Sequence, residues 1–144
     1  MSPRIAVVIK THDDHKVIDL CVEALKKQTT PADRIVIMDS GSRDTGYLAK
    51  HRADESLEVI VEERDVGFCA GNNRAAQRCI DRSDFIFFLN PDAFLPERFL
   101  ADLAECIQSL GREKIGVIGP KLWRYDLAGR TPTRTLDTTG IFRN

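Results

Sequence analysis

The sequence is poor in several things that would have made its chemistry easy to read. It has four cysteines, Cys21, Cys69, Cys79 and Cys106, and no two of them form a Cys-x-x-Cys pair. That spacing argues against a zinc site. Three of the four fall where helices are expected and read as small core residues. The three histidines, His12, His15 and His51, are not clustered at metal-ligand spacing. His15 and His51 read as surface residues, and His12 is expected to line a pocket at the end of the first strand. No apolar run approaches the ~20 residues of a membrane span. The apolar stretch near the amino terminus is too short for a signal peptide and reads as a strand. The expected location is therefore the cytoplasm, at most against the inner face of the membrane. Formal net charge is -1, so there is no global basic field of the kind that binds nucleic acid. Internal repeats are absent too.

What is present suits one soluble globular domain. The 144 residues are 42% hydrophobic and 30% charged, enough to bury a core without disulfides or a structural metal. Charge is uneven. Residues 121–144 carry Lys121, Arg124, Arg130, Arg134 and Arg143 against Asp126 and Asp137, so this stretch is +3 and the remainder -4. A solvated tail is the simpler explanation, and contact with phosphates the alternative.

Short β-rich apolar runs alternate with helical patterns, which predicts parallel strands joined by crossover helices. Strands are expected at Ile5–Ile9, from Arg34 to Met38 ending on Asp39, at Leu57–Val61, at Asp84–Leu89 and at Ile115–Ile118. The first helix is expected after a cap at Asp13 or Asp14, with Val17, Cys21, Ala24 and Gln28 on its apolar stripe beside Leu20 and Leu25. A short helix should follow Asp44 or Thr45. Another should run from Asn72 or Asn73 to about Ile80. The last should open near Pro96 and close at Gly111. Beyond Pro120 the pattern suggests an irregular hairpin around Asp126-Leu127-Ala128-Gly129. The expected organisation is an α/β domain over residues 1–120, an open and mostly parallel sheet with helices on both faces, followed by a hairpin or tail over 121–144.

Ligands of such sheets bind beyond the carboxyl ends of the strands. Those ends carry Thr11-His12-Asp13, Asp39-Ser40-Gly41-Ser42, Glu62-Glu63 and Asn90-Pro91-Asp92. An edge this acidic would hold a diphosphate through a divalent cation. Asp39 could accept a hydrogen bond from a uracil N–H or a ribose hydroxyl, and Gly41 would let the backbone pass close to a ligand. Asp-Ser-Gly is equally good turn chemistry. Pro91 stiffens the turn that carries Asp92, which suits a magnesium ligand completed by phosphate and water; the alternative is that Asn90 and Asp92 cap the next helix. The segment from Gly67 to Arg74 is a glycine-containing loop expected to run into a helix whose first N–H groups favour anions. Arg74, placed in the first turn against the helix dipole, would have a phosphate to contact. The loop is neither a P-loop nor Gly-x-Gly-x-x-Gly. Trp123 reads as hairpin packing before a sugar platform.

Taken in order, Val7-Val8-Ile9-Lys10-Thr11-His12-Asp13, Ile37-Met38-Asp39-Ser40-Gly41-Ser42-Arg43-Asp44-Thr45, Asp65-Val66-Gly67-Phe68-Cys69-Ala70-Gly71-Asn72-Asn73, Phe87-Phe88-Leu89-Asn90-Pro91-Asp92-Ala93 and Ile115-Gly116-Val117-Ile118-Gly119-Pro120-Lys121-Leu122 resemble family 2 glycosyltransferases, in the rhamnosyltransferase-like branch. Leu136-Asp137-Thr138-Thr139-Gly140-Ile141 fits as well. The resemblance implies a GT-A fold and inverting transfer from a nucleotide-diphospho-sugar, a UDP- or dTDP-sugar, to a glycan or lipid-linked acceptor. It places Thr11, Asp13, Asp39, Gly41, Gly67, Asn72, Asn73 and Arg74 around the nucleotide. Asp92 would hold Mg2+ or Mn2+, with Asn90 where the first acid of the family's D-x-D motif stands. His12-Asp13 replaces the usual Tyr-Asn, and Asp65 stands where asparagine is frequent. An inverting displacement needs a carboxylate base at the acceptor hydroxyl, and no carboxylate of this chain matches the family's base. The expectation is a fragment that binds donor and metal, with a homo-oligomer covering apolar surface near Trp123 and Phe142. Two rivals are a non-catalytic nucleotide-binding or assembly module and a receiver-type signalling domain. The second would want its aspartate where the third strand ends in Glu62-Glu63.

Overall fold

A computed structural model describes residues 2–111, 116–129 and 131–138. The chain divides into two compact units, Met1–Gly111 and Arg112–Asn144. In the first, β1 (Ile5–Thr11), β2 (Arg34–Ser40), β3 (Leu57–Glu62) and β4 (Phe85–Leu89) form one parallel sheet in the order β3-β2-β1-β4. The chain steps outward from β1 through β2 to β3, then crosses back to lay β4 on the other side of β1. Strand order therefore reverses at the β1/β4 boundary, where an open α/β sheet leaves a crevice at its carboxyl edge.

The strands alternate in side-chain direction, and both faces are covered. Ala6, Val8, Val36 and Met38 pack with Ala75 and Cys79, which lie in and just after α3 (Phe68–Ala76). On the other face Phe87, in register with Val7, meets Phe99 of α4 (Phe99–Ser109) at a ring-centroid distance of 5.1 Å. The helix α1 (Ile18–Lys26) buries Ile18, Cys21, Val22 and Leu25. Each such aliphatic side chain contributes roughly 2 kcal/mol by leaving water. Of the expected Val17-Cys21-Ala24-Gln28 set, Cys21 and Gln28 are buried, while Ile18 and Val22 take the places expected for Val17 and Ala24. Gln28 is buried for a polar reason. Its Nε2 donates to the carbonyls of Ala24 and Pro96 and its Oε1 accepts the Leu100 N–H, which ties α1 to the start of α4. Gly111, at φ 60, ends α4 as expected.

The sequence expectations hold for four strands and for the short helical stretch, a 3-10 turn at Gly46–Leu48 running into α2 (Ala49–Arg52). They fail at the cap of α1, which is Val17 and not Asp13 or Asp14, at Cys106, which is exposed, like Cys69, and not a core residue, and in three further places. Residues 116–118 carry no strand, and Ile115 lies outside the described residues; a short apolar run needs a neighbouring strand to pair with, and none among the described residues pairs with these. His51 is buried at 5% exposure, its Nε2 2.8 Å from Asp19 Oδ1. Lys50 also reaches Asp19. Burial opposes charge on Asp19, but the Lys50 and His51 hydrogen bonds prevail and its pKa lies below the ordinary value. The last of these failures is the start of α3, which bears on the site.

In the second unit β5 (Leu122–Asp126) and β6 (Thr131–Thr138) form an antiparallel hairpin with irregular register at Trp123. Asp126 turns it by accepting the Ala128 N–H, and Arg124 pairs with Asp137 at 3.4 Å. Arg130, Thr139, Gly140, Ile141, Phe142 and Arg143 lie outside the described residues.

Candidate functional site

Parallel pairing sets Thr11 beside Asp39 and Asp39 beside Val61 at the carboxyl edge. Both Thr11 and Asp39 have no exposed surface. Around the Asp39 carboxylate sits a cluster of hydroxyls. Ser42 Oγ donates to Asp39 Oδ2 at 2.5 Å and Tyr47 OH donates to the same oxygen at 2.7 Å. Tyr47 OH also lies 3.2 Å from Thr11 Oγ1. Asp39 Oδ1 is buried and has no hydrogen-bond partner among the described residues. A buried carboxylate oxygen left without a donor is costly, and such atoms call for an explanation.

The turns after β1 and β2 are laced together. Thr11 Oγ1 and the His12 N–H both donate to Asp14 Oδ2. Asp13, at the unusual φ of 55, donates its N–H to Ser42 Oγ and accepts the Arg43 N–H on its carboxylate. One ring nitrogen of His12, Nδ1, is 2.7 Å from the Ser40 carbonyl. Asp13 thus sits beside the Asp39 turn, with its carboxylate engaged by the Arg43 N–H.

Gly41 has φ 74, and a Cβ built there would meet the Asp65 nitrogen at 2.5 Å. Glycine is required twice, by the dihedral and by the close approach. The approach brings the 65–67 loop across the end of β2. Asp65 holds that loop in place. It accepts the Gly67 N–H and the Ser40 hydroxyl and lies 3.7 Å from the Lys10 ammonium. The Gly67 N–H chiefly, with Lys10, Ser40 and His12, draws its pKa below the ordinary carboxylate value.

Helix α3 starts at Phe68, four residues before the expected Asn72, because Gly67 at φ 78 serves as its cap. Gly71, Asn72 and Asn73 are therefore inside the helix. Asn72 is buried and bonds the Phe68 carbonyl, while Asn73 is exposed. Arg74 falls in the last turn, where its charge favours the dipole, and it pairs with Glu62. The dipole argument for a phosphate contact by Arg74 is reversed by this placement. The N–H groups at the helix start belong instead to Phe68, Cys69 and Ala70.

Asn90 and Asp92 follow β4 in a turn closed by Ala93 N–H to the Asn90 carbonyl. Both are exposed, and no hydrogen bond or ion pair engages the Asp92 carboxylate among the described residues. They do not cap α4, whose cap residue is Arg98 and whose first turn has no side-chain capping hydrogen bond. Below the turn, Cys21 Sγ approaches the Asn90 carbonyl, and burial, with Asp92 adding, pushes its thiol up to about 12. No three His, Cys, Asp or Glu side chains among the described residues are grouped to hold a metal alone. An ion here would have Asp92 and substrate oxygens as ligands, which fits Mg2+ or Mn2+ chemistry.

Sequence reasoning missed Tyr47 entirely and gave Asp65 no role. Ser42 was legible as part of Asp-Ser-Gly-Ser. Nothing local marks a tyrosine eight residues after Asp39 as its partner.

A parallel α/β sheet of this kind has counterparts of known structure. The chain has a GT-A fold. It superposes on a TarS fragment (residues 1–349) from S. aureus with a TM-score of 0.64, at 24% identity, covering 74% of this chain and 32% of that one; that protein has also been solved with UDP and with UDP-GlcNAc. It superposes on the mannosyltransferase PcManGT from Pyrobaculum calidifontis, solved with GDP-Man and Mn2+, with a TM-score of 0.66 at 24% identity, over 81% of this chain and 34% of that one. The sequence profile described as "Glycosyl transferase family 2" matches residues 6–134, and the chain belongs to that family. Among curated relatives it is 30% identical over 95 residues to the O-antigen chain rhamnosyltransferase RfbN of Salmonella typhimurium, 65% of this chain and 30% of that protein. It is 24% identical over 119 residues to the glycosyltransferase AglE of Haloferax volcanii, 79% of this chain and 38% of that one. The chain thus spans about a third of the length of these relatives. No helix among the described residues is long and apolar enough to cross a membrane.

Proposed function

We propose that this chain is the donor-binding part of an inverting glycosyltransferase, holding a nucleotide-diphospho-sugar and its divalent ion. The observation that carries this is the fully buried Oδ1 of Asp39 at the carboxyl edge of the sheet, which has no hydrogen-bond partner among the described residues. A nucleobase N–H or ribose hydroxyl supplies the donor that this oxygen lacks. The glycine-bearing 65–67 loop and the first N–H groups of α3 lie on the same edge and face anionic groups. Asp92 is the carboxylate for the ion, which would neutralise the diphosphate and favour its departure. The PcManGT complex with GDP-Man and Mn2+ supports divalent-ion use in a protein of this fold. Thr11, Asp13 and Ser42 act by fixing the walls around Asp39. No residue of the chain is assigned as the base toward a glycan or lipid-linked acceptor.

The test is a thermal-shift screen of nucleoside diphosphates and sugar nucleotides with and without Mn2+. A ligand at about 100 times its Kd should raise stability by about 2.7 kcal/mol. Shifts that require Mn2+, with no sugar transfer by a preparation confirmed at 16.2 kDa, are the expected result. Absence of any shift would overturn donor binding. Full transfer by the chain alone would overturn the assignment of the base elsewhere.

A further inference from the structure

Lys10 carries a charge that the fold buries and leaves short of partners. Its side chain is 9% exposed, and its ammonium has three N–H groups to satisfy. One carboxylate oxygen stands near, Asp65 Oδ1 at 3.7 Å, which is beyond hydrogen-bond reach. That oxygen already accepts the Gly67 N–H and the Ser40 hydroxyl. No hydrogen bond engages the Lys10 ammonium among the described residues. A buried ammonium without acceptors is costly, yet the chain makes room for this one. A Cβ at Gly71 would meet Lys10 Cγ at 2.9 Å. Glycine, a poor helix former, therefore stands inside α3 where the lysine stem passes. The stem is held between β1 and α3, and the ammonium ends beside the 65–67 loop. Two other cations of this edge are placed differently. Arg74 is paired with Glu62, and Arg43 is 95% exposed at 4.0 Å from Asp13.

Resting on the donor-site reading above, we propose that Lys10 is an anion-binding residue whose ammonium takes a phosphate oxygen of the nucleotide, drawn from its loose pairing with Asp65. A phosphate oxygen is the acceptor that Asp65 Oδ1, already engaged twice, does not provide. The bond is charge-assisted on both sides and sheltered from water, the setting in which such bonds are strongest. An edge otherwise rich in carboxylates thereby gains one fixed positive charge of its own, independent of the ion on Asp92.

The test is calorimetric titration of uridine, guanosine and thymidine 5′-diphosphates at fixed Mn2+ into wild type, Lys10→Met and Asp65→Asn. For each diphosphate that wild type binds, Lys10→Met should bind about tenfold more weakly, the size expected for one charge-assisted hydrogen bond. Asp65→Asn keeps an acceptor for the Gly67 N–H but releases the ammonium, and should bind about threefold more tightly. A purely structural ion pair predicts the same sign for both variants, because either substitution breaks it. Weaker binding by both, or unchanged binding by Lys10→Met, overturns the proposal. In the Lys10→Met background, Asp65→Asn should gain nothing further; an equal gain there would mean that Asp65 repels the phosphate by itself, and overturns the pairing. If circular dichroism shows Lys10→Met unfolded, Asp65→Asn decides alone, and binding no tighter than wild type overturns the assignment. If wild type binds none of the three diphosphates, the donor reading falls and Lys10 with it. If wild type binds and the variants miss these shifts, the Lys10 assignment falls and the donor reading stands.

Discussion

Asp39 and Asp92 stand at two strand ends of one sheet and are built in opposite ways. Asp39 is fully buried, takes two hydroxyl protons on one oxygen and is hemmed in by turns from β1 and β2. Asp92 is exposed and is engaged by no side chain among the described residues. The first is organised by the protein before any ligand arrives. On the proposed reading the second waits for groups that the substrate brings, and the difference follows from the two proposed tasks. A neutral base is recognised by a few directional hydrogen bonds, which need a fixed partner. A hydrated divalent ion needs one or two carboxylates with room for phosphate and water.

The sharpest way to break the contrast is at Gly41. An alanine there meets a positive φ and a contact of 2.5 Å with backbone, so Gly41→Ala should cost about 3 kcal/mol. Denaturant unfolding measures it, and a cost under about 1 kcal/mol would mean that the 65–67 loop is not held against β2. Next is Asp39→Asn. It keeps the shape but turns an acceptor pair into one acceptor and one donor group among hydroxyls. A loss of about 2 kcal/mol in stability and at least about tenfold in nucleotide affinity is expected. Asp92→Ala should do the reverse, changing stability by less than about 0.5 kcal/mol while abolishing the Mn2+ dependence of nucleotide binding. Equal Mn2+-dependent shifts for that variant and wild type would remove Asp92 from the metal role.

The smallest effect is one of pH. The folded-state pKa of Asp65 is lowered. Its stabilising contribution is therefore complete above the ordinary carboxylate value, ~4, and is lost as pH falls through the lower folded value. The gap in melting temperature between wild type and Asp65→Asn should close across that window. A gap that widens on acidification would contradict the sign.

Much of this site was legible in the order of the elements. The run Ile5–Ile9 announces an interior strand, whereas the equally apolar Phe85–Leu89 lies at the edge of the described sheet with Phe88 exposed; the rule that ligands gather at carboxyl edges points at once to Thr11, Asp39 and Asp92. Less legible was the start of α3. Asn72 looks like a cap, but Gly67 reaches a dihedral that asparagine adopts only with difficulty, so the helix begins a turn earlier and carries Arg74 to its far end. His51 looked like a surface residue because the local pattern of Ala49–Arg52 is polar. It is buried because α1 brings Asp19 over it.

By itself, then, the sequence determined the elements, their parallel arrangement and which residues stand at the edge, because periodicity and turn chemistry are local. Tertiary structure alone decided who touches whom across that edge. Thr11 meets Tyr47 over 36 positions and Ser40 meets Asp65 over 25, separations that no local pattern records. Those contacts leave one oxygen of Asp39 without a partner among the described residues, because hydrogen-bond supply in a buried cluster depends on how many donors the fold happens to bring within reach.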